Sequence, residues 1–128
     1  MRRLHVGSRT LFVMDSVSYI TELHRGAVLV TGSHGGLSSG RYALEHPPAL
    51  VIFNDAGVGK DEAGVAALAQ LHAAGIAAAA VHANSARIGD GEDTWSHGVL
   101  SRLNALAIDL GLREGESLQV GLKRWLEP

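Results

Sequence analysis

Apolar residues come in short continuous runs along this chain, separated by polar stretches rich in glycine. The runs at 10–14 (TLFVM), 27–31 (AVLVT), 49–53 (ALVIF) and 76–81 (IAAAAV) have the length of strands, and without period-two alternation they read as strands covered on both faces. Between them the spacing turns helical. Asp15 or Ser16 can cap a short helix running through Leu23, and Arg41 to Glu45 make one or two helical turns that Pro47 and Pro48 must end. Asp61 caps a further helix with Val65, Leu68, Leu71 and His72 on one face, and Gly75 stands where that helix needs a left-handed residue to stop. From Trp95 to Leu110, Val99, Leu103, Leu106 and Leu110 recur at helical spacing, and Gly111 ends the run. A last amphipathic piece covers 117–126, with Leu118, Leu122, Trp125 and Leu126 apolar.

Strands alternating with helices predict one α/β domain over residues 1–128, in three layers: a mostly parallel sheet of about four strands covered by helices on both faces. Sheets of this kind bind ligands outside the carboxyl ends of their strands. Here those ends open into the loops 32–40 (GSHGGLSSG), 54–60 (NDAGVGK) and 82–94 (HANSARIGDGEDT), all of them polar.

Composition narrows the function classes. Hydrophobic residues make up 46% of the chain and aromatic ones 5%, so the core is built from Ala, Val, Leu and Ile. A formal net charge of -2 supplies no basic field for nucleic acid. The absence of cysteine excludes disulfides, thiolate nucleophiles and Cys-bound zinc. No run of about 18 apolar residues is present to span a bilayer, and a cytoplasmic location is expected. A small Ala-rich domain of positive mean hydropathy has limited means to cover its apolar surface, so a homo-oligomer is expected, with Leu122, Trp125 and Leu126 as its contact.

The first loop sets Ser33 and His34 among Gly32, Gly35 and Gly36, on backbone a ligand can approach closely. His34 is the candidate acid/base, with Ser33 and Asp55 beside it as catalytic candidates. Asp55 orients a histidine, acts as a base, or caps its own turn through backbone amides. Asn54, Gly57 and Lys60 complete that second loop as binding candidates. It departs from a phosphate loop at Asn54, where the first glycine belongs, and at Asp61, where a hydroxyl should hold magnesium. The third loop offers His82, Asn84, Ser85, Arg87 and Asp90. Arg87 is suited to clamp a carboxylate, and Glu92 and Asp93 suit the first turn of the following helix. His34, His82, His97 and Asp55 are a conceivable metal set, but without ligand spacing no metal or other cofactor is assigned. Asn104 reaches the site or faces solvent.

A strand ending in S-H-G-G (Ser33 to Gly36), then one ending in N-D-A-G-V-G (Asn54 to Gly59), then an Ala-rich helix, resembles the His-Gly and Asp-Ala-Cys-x-x-Gly signatures of caspase-like peptidases. The late G-D-G-E-D-T (Gly89 to Thr94) is similar to the CHAT branch of that group, and the likeness spans roughly residues 28–100. The resemblance implies that His34 would activate a cysteine just after the second motif. Ala56 and Gly57 stand there instead, so no peptidase activity is carried over. The residues then imply a small cofactor-independent hydrolase- or lyase-type enzyme acting on a small polar, carboxylate-bearing molecule. The alternative is a non-catalytic ligand-binding or regulatory domain of degenerate caspase-like fold.

Overall fold

The computed structural model describes all 128 residues. The α/β class holds, with a sheet of six strands rather than four, in the order β1 (Arg2–Val6), β2 (Arg9–Met14), β3 (Val28–His34), β4 (Leu50–Asn54), β5 (Ala77–Val81) and β6 (Leu100–Leu103). The four central strands run parallel, and both edge strands are antiparallel to their neighbours. The central four are the apolar runs of the sequence. The two edges escaped it for physical reasons. β1 alternates Arg3 and His5 with Leu4 and Val6, a half-buried strand disguised by basic residues, and it turns into β2 through Gly7, whose φ of 62° opens a two-residue hairpin loop.

β6 lies inside the segment expected to be one helix from Trp95 to Leu110. That segment is instead α3 (Gly91–His97), β6 and α4 (Ala105–Asp109). Gly98 ends α3 in extended conformation, where a Cβ would crowd the Thr94 carbonyl oxygen and the Val81 side chain, and the chain then pairs with β5. Pairing along an open sheet edge overrides a helical spacing that continued by coincidence. The helix expected from Asp15 or Ser16 through Leu23 is two 3₁₀ turns, Val17–Tyr19 and Glu22–His24, capped by Ser16 and Thr21. α1 (Leu37–Glu45) begins earlier than Arg41. α2 (Ala66–Ala73) begins later than Asp61, because Asp61 and Glu62 lie in the left-handed region.

α5 (Leu118–Leu126) forms as its apolar spacing dictates. Leu122 and Leu126 are buried in this chain's own core, so the segment does not offer them as a contact to another copy. No helix is long and apolar enough to cross a membrane.

Two apolar layers flank the sheet. Val30, Ile52, Ala79 and Val81 pack on one side against Trp95 of α3, Ala107 of α4 and Leu118 and Leu122 of α5. Leu29, Val51, Phe53 and Ala78 pack on the other against Ala43 of α1, Leu68 and Leu71 of α2, and Val17 and Ile20 of the 3₁₀ turns. The connections after β2, β3 and β4 therefore share one face, and the connection after β5 crosses to the other. This reversal places a topological switch point between β4 and β5, the gap in which open α/β sheets hold their ligands.

Candidate functional site

β4 ends at Asn54 and β5 at Val81, so Asp55 and His82 face each other across that gap. A cleft of about 330 Å³ opens there, lined by Asp55, Gly57, His82 and Asn84, and by Ser101, Arg102 and Glu114. The Asp55 side chain is only 4% exposed and that of His82 57%. Oδ1 of Asp55 accepts the Gly57 amide at 2.9 Å and the Ala83 amide at 3.0 Å, and Oδ2 accepts the Ser101 hydroxyl at 2.7 Å. Burial works to raise the Asp55 pKa, but the Ser101 hydroxyl, the Gly57 and Ala83 amides and the nearby His82 outweigh it, holding the carboxyl below its usual range.

His82 Nδ1 lies 3.7 Å from Asp55 Oδ2. That distance exceeds a hydrogen bond, and catalytic contacts of this type commonly tighten only when a ligand fills the site. A ring held with Nδ1–H toward the carboxylate keeps Nε2 as a free base in the cleft. Around the pair, Glu114 adds a second carboxylate, while Arg102 is tied to Glu62 at 2.6 Å.

The other candidates reach the same sheet edge and serve local structure. Ser33 Oγ accepts the Val17 amide at 2.8 Å, pinning the end of β3 to the first 3₁₀ turn. His34 is exposed and folds back on its own loop: Nδ1 accepts the Gly36 amide at 3.0 Å, and no carboxylate pairs with it. Gly36 caps α1, and Gly35 lets the loop close on α2, since a Cβ would lie 2.7 Å from the Gly64 carbonyl oxygen. Asn54 is buried, donating to the Ala86 carbonyl at 2.9 Å and accepting the Ala56 amide at 2.8 Å, so it fastens the second and third loops together. Lys60 is exposed away from the cleft lining.

Ser85 Oγ donates to the His82 carbonyl and accepts the Val99 amide. Arg87 lies outside the cleft, paired with Asp90 at 3.3 Å, and Asp90 caps α3 by accepting the Asp93 amide. His97 pairs with Asp93, so the set His34, His82, His97 and Asp55 does not converge as metal ligands would.

The loop after β4 is under strain. Ala56, Gly57, Val58 and Gly59 all have positive φ, between 52° and 75°. A β-branched residue in that region is a true outlier. Val58 stays there because its amide donates to the Asp55 carbonyl at 2.7 Å, its carbonyl accepts the Gly64 amide at 2.8 Å, and its side chain packs on the core. In this conformation the Gly57 amide meets the Asp55 carboxylate. Ser101 and Arg102 escape the sequence reading because β6 lies inside the expected helix, and Glu114 because it stands beyond that helix, in the turn after Gly111. The signal present was Gly98, which breaks the helical spacing before V-L-S-R-L, a short run that pairs with β5 and brings the Ser101 hydroxyl to the buried carboxylate after β4. No protein-family model matches the chain, no curated protein is found similar to it, and no solved structure matches its fold.

Proposed function

We propose that the cleft between β4 and β5 is a general acid/base site of hydrolase or lyase type, with His82 as the proton-transfer group and Asp55 as the residue that orients it. The observation carrying this reading is one pair: a buried, fully hydrogen-bonded carboxylate facing an exposed imidazole at the sheet's switch point. The role read into His34 from sequence moves to His82, because His82 has a carboxylate partner and a cleft. None of the edge hydroxyls pairs with the His82 ring: Ser33 accepts an amide, Ser85 bridges two backbone groups, Ser101 is buried and donates to Asp55, and the buried Ser39 lies 3.4 Å from Nδ1 of His34. The chemistry is therefore activation of water or removal of a substrate proton.

The substrate's charge also changes from the sequence expectation. A carboxylate was inferred from Arg87, which lies outside the cleft. Asp55 and Glu114 line it, with Arg102 already drawn to Glu62. A negative lining favours a small polar molecule bearing an amine.

The test is a turnover screen of small amine-bearing esters, amides and hydroxy compounds, with wild type beside His82→Gln and His34→Gln. The expected result is a fall of about 100-fold to 10,000-fold for His82→Gln and little change for His34→Gln. The reverse order of the two variants would sink the assignment. The lack of a hydroxyl paired with the His82 ring favours a second reading, a non-catalytic ligand-binding domain of degenerate caspase-like fold. Saturable binding of amines in the cleft with no turnover of any compound would select it.

A further inference from the structure

The amino ends of the parallel strands, at the opposite edge of the sheet, frame a second cavity of about 330 Å³. Three arginines line it, Arg3 on β1, Arg9 at the start of β2 and Arg25 just before β3. No Asp or Glu is part of the lining. Like charges gathered around one concavity repel one another, and of the three only Arg25 has an acidic partner, Glu22 outside the lining.

The donors are also available. Arg3 makes no side-chain hydrogen bond or ion pair, whereas its neighbour Arg2 is taken up by Glu92. Arg9 is fixed in place, its guanidinium 5.5 Å from the centre of the Trp125 ring and Nη1 donating to the Gly26 carbonyl at 3.4 Å, which leaves Nε and Nη2 unengaged. Arg25 gives Nε and Nη2 to Glu22 at 2.7 and 3.1 Å, an exposed pair that solvent screens and that a stronger anion can displace. The rest of the wall is mixed. Thr10 supplies a hydroxyl, while Phe12 and the exposed Leu23 supply apolar surface.

We infer that this cavity binds a small organic phosphate monoester, its phosphate held by Arg3, Arg9 and Arg25 and its organic group laid against Phe12 and Leu23. A carboxylate has two oxygens and one charge, enough for a single guanidinium fork. A phosphate dianion has three terminal oxygens and takes forks from more than one direction, which suits guanidinium groups arriving from three segments.

Phenyl phosphate is the probe, titrated into the full chain at low ionic strength by calorimetry and by ¹H–¹⁵N NMR, with benzoate as the carboxylate control. Saturable one-site binding is expected, with shifts at the Phe12, Leu23 and Gly26 amides, and with weaker binding of benzoate. Arg3→Gln and Arg25→Gln, both at exposed positions, should each weaken phenyl phosphate about tenfold, the scale of one charge-assisted hydrogen bond. His82→Gln should leave it unchanged. The inference is overturned by absence of saturable binding, by shifts confined to the His82 cleft, by benzoate binding as tightly as phenyl phosphate, or by both arginine variants binding like wild type while their thermal melts show them folded.

Discussion

Asp55→Asn keeps the shape of the side chain and removes its charge. The asparagine Oδ1 still accepts the Gly57 and Ala83 amides, now as neutral hydrogen bonds. Bonds to charged groups contribute about 1.5 to 3 kcal/mol against about 1 kcal/mol for neutral ones, so the two amides together lose roughly 1 to 4 kcal/mol. The Ser101 hydroxyl, 2.7 Å from Oδ2, can turn toward the Ala80 carbonyl at 3.3 Å and accept from the new amide, a near-even exchange. Relief from burying a charge offsets part of the loss, leaving a net destabilisation of about 1 to 2 kcal/mol, or roughly 4 to 8 °C in Tm for a domain of this size.

The pH dependence fixes the sign. The folded carboxyl titrates below its ordinary value of 3.8, so the unfolded chain takes up the proton first as the solution is acidified. Asp55 therefore contributes its full stability above about 3.8, and the contribution is lost as pH falls below that value through the folded pKa. Urea unfolding of both proteins at neutral pH and at pH values below 3.8 reads this directly, and the gap between them should close in acid. A variant as stable as wild type at neutral pH, or a gap that widens in acid, would refute the reasoning.

Asn104→Ala removes a buried staple whose Oδ1 accepts the Ala78 and Ala107 amides and whose Nδ2 donates to the Leu68 and Ile76 carbonyls; a loss of roughly 3 to 5 kcal/mol is expected in urea unfolding. Ala56→Gly, at an exposed position with φ of 52°, should raise stability by about 0.5 to 1 kcal/mol, measured as a higher urea midpoint. Burial pushes the His24 imidazole below its ordinary pKa of 6.5, and its Nδ1 accepts the Thr21 amide. The unfolded chain then protonates first, so stability present above 6.5 is lost as pH falls below it; His24→Asn, which retains an acceptor, should flatten that slope in melts between pH 7 and 5.

Legibility followed where local pattern and tertiary demand agreed. The four central strands are buried on both faces, so their apolar runs needed no partner to be recognised, and the carboxyl-edge loops came with them. Asp55 stands out in the sequence because a carboxylate directly after a buried strand, at the carboxyl edge, can orient a histidine or act as a base. Which gap between strands holds the cleft was not local information. It depends on which face each connection covers, and a helix read across Gly98 hid both the reversal after β5 and the strand that brings Ser101 to Asp55. Asn104 was taken for a solvent or site residue for the same reason. A polar residue inside a supposed helix looks free, whereas one capping α4 beside β5 is a buried staple. His34 stood out for its glycine setting, yet glycines that permit close approach served the packing of its loop on α2.

The most direct measurement is the tautomer of the neutral histidines, read from a long-range ¹H–¹⁵N spectrum of the imidazole rings. With Asp55 facing its Nδ1, His82 is expected to carry the proton on Nδ1 and leave Nε2 unprotonated in the cleft, and Asp55→Asn should abolish that preference. His34, whose Nδ1 accepts the Gly36 amide, is expected to carry its proton on Nε2 in both proteins. A His82 ring protonated on Nε2 in the wild-type protein would leave no base facing the cleft and would contradict the assignment of His82 and Asp55 as its acid/base centre.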